Sequence, residues 1–290
     1  MKWLITGGSG QLGRTLEGYL KLSGEEVVAL TKNSLDINNY AQVKEVISGY
    51  KPEILVNCAA WTDVDGAETQ MDQAVATNAR AAHNLSRLAK ESDFRFIHIS
   101  TDFVFGADGK DLYSEDDSHC PVNFYGASKA MGEALVMEEN PDSVIIRASW
   151  LYSPYGKNFP KAIIRKLITD ESSISVVDDQ AGQPTSCRSL SQTIKLIGLR
   201  PELRGIFHGS SQGNVSRFEF AQEIAAQLGY KSSRIQPTSS SSLNLRAKRP
   251  SGTILKHDRH VTEKIEMPTL WNQDLASQII EIKKSVEFEA

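Results

Sequence analysis

Cysteine is scarce in this chain: Cys58, Cys120 and Cys187 are the only three in 290 residues, far apart and with no Cys-x-x-Cys spacing. That excludes a disulfide framework and a paired-cysteine zinc site, and predicts reduced thiols in a cytoplasmic protein. No apolar run approaches the roughly 20 residues that cross a bilayer, so no membrane association is expected. The opening "MKWLITGGSG" reaches glycine at position 7 and does not read as a signal peptide. An excess of positive charge is also missing. With 32 Lys and Arg against 36 Asp and Glu the formal net charge is −4, and nucleic acid is not an expected partner.

What is present is ordinary for a globular protein, with 40% hydrophobic and 23% charged residues. The length suits one large domain with a smaller lobe. Strands are predicted over 2–6, 26–30, 53–57, 94–100 and 143–148, and helices over 11–23, 39–49, 71–92 and 123–139. Near-continuous apolar strands separated by helices predict a Rossmann-type, doubly wound parallel sheet. Residues 1–150 are expected to form the NAD(P)-binding domain. Residues 151–290 should form mainly a substrate-binding lobe, with helices near 158–170, 187–198 and 216–229 and a strand at 174–178. "DDQAGQPTS" is expected as a loop, and the serine-rich segment before Arg249 as a surface loop of that lobe. The chain is free to cross back to the sheet.

"WLITGGSGQLGRTLEGYL" sets Gly7, Gly10 and Gly13 between a strand and a helix. The first permits a tight turn, the second lets backbone approach a pyrophosphate, and the third lets helix and strand pack closely. The helix N-terminus then offers free N–H groups to the phosphates. After the second strand a dinucleotide fold places the residue that reads the adenosine ribose, and an acid there repels a 2′-phosphate. This chain has Thr31 followed by Lys32, which predicts tolerance of NADPH, with NADH possible. Asp36 and Ile37 are expected at the adenine edge.

"FYGASKAMGE" puts Tyr125 and Lys129 four apart, neighbours on one helix face. A tyrosine of pKa about 10 is a poor proton donor at neutral pH, and a nearby ammonium lowers that value. Tyr125 then serves as general acid to a carbonyl oxygen whose carbon receives hydride, and Lys129 holds ribose hydroxyls. The small neighbours Gly126, Ala127, Ser128, Ala130 and Gly132 are expected to leave room for cofactor and substrate. "FIHISTDFVFG" ends a strand in Ser100, Thr101 and Asp102, at the sheet edge where such folds bind ligands, and Thr101 is a second donor to the carbonyl oxygen.

With "GGSGQLG", "LDI", "VNCAAWTDVDGAE", "TNA", "STDFVF", "YGASKAMGE", "RASWLY" and "DDQAGQPT", the chain resembles the dTDP-4-dehydrorhamnose reductase family of extended short-chain dehydrogenase/reductases. The resemblance implies reduction of the 4-keto group of a dTDP-6-deoxy-hexulose to dTDP-L-rhamnose. It implies pyrophosphate contacts from Gly10, Gln11 and Leu12, and a cofactor segment at Ala60, Trp61 and Thr62. Thr101, Tyr125 and Lys129 would be catalytic, and Thr101, Asp102, Tyr125 and Trp150 would face the sugar nucleotide. Some members are dimers bridged by magnesium through helix carboxylates. Thr15 and Arg188 stand at those places here, so no metal and a monomer are expected. The alternatives are a reductase or epimerase of another nucleotide sugar, and a non-catalytic regulatory subunit of the same fold.

Overall fold

The five predicted strands of residues 1–150 and a sixth, unpredicted strand assemble into one six-stranded, wholly parallel sheet. The computed structural model describes residues 1–289. Its sheet contains β1 (Lys2–Thr6), β2 (Glu26–Leu30), β3 (Ile54–Asn57), β4 (Arg95–Thr101), β5 (Val144–Ala148) and β6 (Gly205–His208). The spatial order is β6-β5-β4-β3-β1-β2, every pair parallel. The order reverses between β1 and β3, which opens a crevice at the carboxyl edge there.

Alternation along each strand sends side chains to two apolar layers. Trp3, Ile5 and Ile97 pack on one face with Leu12 and Leu16 of α1 (Gln11–Leu22). Leu4, Leu55 and Ile145 pack on the other, beneath α2 (Tyr40–Tyr50), α3 (Ala81–Ser92) and α4 (Phe124–Glu139). The predicted continuous helix over 71–92 is broken by a π-helical turn at Ala76–Arg80, a feature that recurs at functional sites.

Past residue 150 the chain divides its loyalties. α5 (Phe159–Thr169), α7 (Arg217–Gln227) and α8 (Trp271–Glu289) enclose a separate core of Ile163, Ile164, Phe220, Ile224, Leu275 and Ile282. By contrast α6 (Cys187–Gly198) lies on the sheet: Leu190, Ile194 and Ile197 join the layer under α1, and β6 then extends the sheet beyond β5. The expected loop 178–186 instead contributes two short strands. Ala181–Gly182 pairs with Val215–Ser216 and Thr185–Ser186 pairs with Leu151–Tyr152, joining the lobe to the sheet edge. The serine-rich segment is exposed. Just beyond it Arg249 donates to both Asp65 oxygens, at 2.7 and 2.6 Å, strapping the lobe to the turn after β3. Among the described residues no helix is long and apolar enough to cross a membrane.

Candidate active site

The crevice at the β1/β3 reversal is a cleft of about 580 Å³. Gly7, Gly10, Gln11, Leu12 and Gly13 line it from the first turn, Lys32, Asp36 and Ile37 from the second, Ala60, Trp61 and Thr62 from the third, and Tyr125 and Lys129 from α4. Backbone proximity explains the glycines. Gly7 has φ +69°, and a Cβ there would stand 2.7 Å from the Ala59 nitrogen. A Cβ on Gly13 would stand 2.3 Å from the Gly7 carbonyl, so α1 could not start so close to β1.

Thr31 is a correction: it does not line the cleft. Its N–H donates to Ser34 Oγ at 2.9 Å and its hydroxyl lies 3.3 Å from the same oxygen, so the turn consumes the side chain. Lys32 takes its place on the wall. Sequence reasoning missed Ser9, Thr77 and Gly156, which also line the cleft. Thr77 sits in the π turn, a backbone irregularity with no residue pattern of its own.

Gly126 and Gly132, two of the small residues of α4, have a different purpose from the one expected. A Cβ on Gly126 would meet the Phe103 carbonyl at 2.0 Å, and one on Gly132 the Asn78 carbonyl at 2.2 Å. They let α4 seat directly on backbone rather than leave space for ligand. Ser128 Oγ accepts from Asn78 Nδ2 at 2.9 Å, while Asn78 also accepts the Trp61 N–H at 2.8 Å. Buried Asn78 therefore ties α4 to the turn after β3. Asn123 caps α4, its Oδ1 accepting from the Gly126 N–H at 2.8 Å, which sets the helix start one residue before Tyr125.

Tyr125 packs edge-on to Phe103, ring centres 5.8 Å apart. Burial pushes its phenol up to about 12, against a smaller downward pull from the Thr101 hydroxyl. The expected depression by Lys129 is absent. Lys129, 1% exposed, is tied to β4 instead: Nζ lies 2.7 Å from the Ile99 carbonyl and 3.1 Å from His98 Nε2. Burial lowers Lys129 to about 8.

Thr101 ends β4, with Oγ1 donating to Asp102 Oδ1 at 3.1 Å. Asp102 was expected to face the sugar. It is 2% exposed, and Oδ2 accepts from Ser149 Oγ at 2.9 Å and Thr253 Oγ1 at 2.6 Å. Both oxygens are thus engaged, and Asp102 orients Thr101 and joins β4, β5 and the lobe. Burial raises its pKa.

Trp150 lies two residues beyond Ala148, the β5 partner of Thr101. It holds φ +45°, a conformation costing an ordinary residue about 1–3 kcal/mol. Packing compels it: the Arg217 guanidinium stacks 3.5 Å from the indole centre, and a Cβ on Gly182 would lie 2.4 Å from the ring. Arg217 makes no ion pair among the described residues; burial lowers its pKa to about 10 and the Asp102 charge opposes this. Thr15 donates to the Gln11 carbonyl at 2.9 Å. Among the described residues no group of three or more His, Cys, Asp or Glu could hold a metal ion.

Residues 1–284 match the family model described as the RmlD substrate binding domain. A dTDP-4-keto-6-deoxy-D-glucose reductase of Streptomyces niveus is 36% identical over 258 residues, 89% of each chain. A dTDP-4-dehydrorhamnose reductase of Streptomyces griseus is 36% identical over 279 residues, 94% of this chain and 91% of that one. The crystal structure of dTDP-4-dehydrorhamnose reductase from Bacillus anthracis in complex with NADP superposes with a TM-score of 0.92 at 36% identity, covering 97% of this chain and all of that one.

Proposed function

Since the chain belongs to the dTDP-4-dehydrorhamnose reductase family, we propose that it reduces the 4-keto group of a dTDP-6-deoxy-hexulose with NADPH, giving dTDP-L-rhamnose. The observation that carries this reading is the meeting of the glycine turn, Lys32, Tyr125 and Lys129 on one cleft.

The residues fit a nicotinamide dinucleotide. The closely packed turn at Gly7–Gly13 sets the N-terminus of α1 at the cleft, and the Ser100 hydroxyl on the cleft wall is buried without a partner. Gly10, Gln11 and Leu12 would hold the pyrophosphate, Ala60, Trp61 and Thr62 the middle, and Asp36 and Ile37 the adenine. Lys32 favours the 2′-phosphate of NADPH, and the absence of an acid on this wall segment at 31–32 removes the group that would repel it. When bound, the cofactor supplies the hydride.

The chain's own groups manage the proton and the oxygen. Tyr125, held protonated by burial, donates to the carbonyl oxygen as negative charge develops on it. Thr101, aligned by Asp102, is the second donor to that oxygen. Lys129 binds ribose hydroxyls and supplies positive charge to the phenolate that proton transfer leaves behind. Trp150 offers its apolar face to the sugar, and the unpaired Arg217 suits an anionic nucleotide. The protein acts as a cytoplasmic monomer.

NADPH oxidation with dTDP-4-keto-6-deoxy-L-lyxo-hexulose tests the reading, with turnover as the expected result. The Streptomyces niveus relative supports a second reading, reduction of dTDP-4-keto-6-deoxy-D-glucose. Turnover of that compound alone would select it. NAD surviving purification, with epimer formed and no net oxidation, would replace both by an epimerase.

A further inference from the structure

Behind the cleft, three adjacent parallel strands carry polar residues in one row. Thr6 on β1 is in register with Asn57 on β3, and Asn57 with His98 on β4. All three are at most 1% exposed, and the row ends at His98, which alone of the three reaches Lys129. Buried polar groups of this kind are retained only when fully paired, and the pairing here runs in one direction.

The direction follows from a backbone group. The Ala59 N–H can only donate, and it donates to Asn57 Oδ1 at 3.2 Å, where Thr6 Oγ1 also donates at 2.6 Å. Turning the Asn57 amide over would set its NH₂ against the Ala59 N–H. Asn57 Nδ2 must therefore face His98, and it donates to His98 Nδ1 across 3.0 Å. With Nδ1 accepting, the neutral imidazole carries its proton on Nε2. That N–H points at Lys129 Nζ, 3.1 Å away. A charged ammonium would meet another donor there, whereas a neutral amine accepts.

We propose that His98 is a positioning residue whose Nε2–H tautomer, dictated by Asn57 and the Ala59 N–H, disfavours the ammonium form of Lys129 and so sets the pH at which the active-site lysine discharges. The direction agrees with the lowering of Lys129 to about 8 and of His98 well below its ordinary value, in both cases by burial first. The other groups facing Lys129 do not do this. Glu133, one turn along α4, favours the ammonium, but its carboxylate is spent on Arg147 of β5 at 2.7 Å and His119 at 2.8 Å. Cys58 after β3 is held as a thiol, pushed up to about 12. Tyr125 is neutral, and Asp102 lies beyond it with both oxygens occupied.

The proposal rests on Lys129 serving Tyr125 as described above. Its first test needs neither substrate nor turnover: ¹⁵N-detected ring shifts of the ligand-free protein at neutral pH. A bare Nδ1 and a protonated Nε2 on His98 are expected, and a protonated Nδ1 would overturn the assignment. Failure to reduce the sugar would sink the enzymatic reading while leaving that result standing. The second test is the basic limb of kcat/KM. Wild-type reduction should fall as pH rises through about 8. His98→Gln can turn a carbonyl oxygen to the ammonium. Asn57→Asp draws a proton to Nδ1 and turns a lone pair of Nε2 to it. Each should move the limb upward by about one unit, a tenfold change in proton affinity. An unmoved limb in variants that fold and bind NADPH would reduce the row to a packing device.

Discussion

Replacing Tyr125 by Phe removes one oxygen and leaves the ring where Phe103 already grips it edge-on at 5.8 Å. The change therefore isolates the proton donor from the cleft wall. In the wild type the phenol is pushed up to about 12 by burial, so it is fully protonated across the workable pH range. The variant leaves only Thr101 beside the developing alkoxide. General acid catalysis contributes about 10²–10⁴-fold, which at 1.36 kcal/mol per decade is roughly 3–5 kcal/mol of barrier. We expect kcat to drop by that factor while NADPH affinity, measured by cofactor fluorescence without sugar, stays close to wild type. The assay is NADPH oxidation under single-turnover conditions, so that product release cannot mask the loss. Undiminished single-turnover rates in a variant that binds NADPH normally would remove Tyr125 from proton transfer.

Lys32→Ala should weaken NADPH relative to NADH by about 1 kcal/mol, or roughly fivefold, because an exposed cation is screened; equal loss for both cofactors in titration calorimetry would contradict a 2′-phosphate contact. Glu133→Gln leaves the Arg147 guanidinium buried without its counter-ion and should cost about 3–5 kcal/mol, read as a lowered unfolding midpoint. Burial pushes the Glu133 carboxyl up, but Arg147 and His119 outweigh it and hold it well below the usual range. A depressed carboxylate adds stability above its unfolded pKa and loses it as pH falls, so the gap between wild type and variant should narrow below about pH 4.5. A gap that widened in acid would show that the pair is not what the substitution breaks. Chelation with EDTA should leave activity and solution mass unchanged, since Thr15 and Arg188 supply no carboxylate for a hard cation; activity lost and then restored by magnesium would reveal other ligands.

Local spacing carried much of this protein into view. Three glycines after an apolar strand specify a tight strand-to-helix turn because the constraint acts over a few bonds, and Tyr125 and Lys129 share a face because residues four apart on a helix always do. The near-continuous apolar strands separated by helices sufficed for a doubly wound sheet, since only burial on both faces suits them. Other features depended on distant segments meeting. Whether Thr31 or Lys32 faces the ligand was decided by Ser34 in the folded turn. The place of α6 and β6 on the sheet was set by packing against α1 and β5. Asp102 became a buried strut because Ser149 and Thr253 arrive from 47 and 151 positions away. Lys129 reaches past Tyr125 to β4, and the tautomer of His98 hangs on an asparagine 41 residues earlier. A residue's chemistry is written in its name, but the state of its protons depends on which donors and acceptors parallel strand register brings within 3 Å, and only the folded chain sets that register.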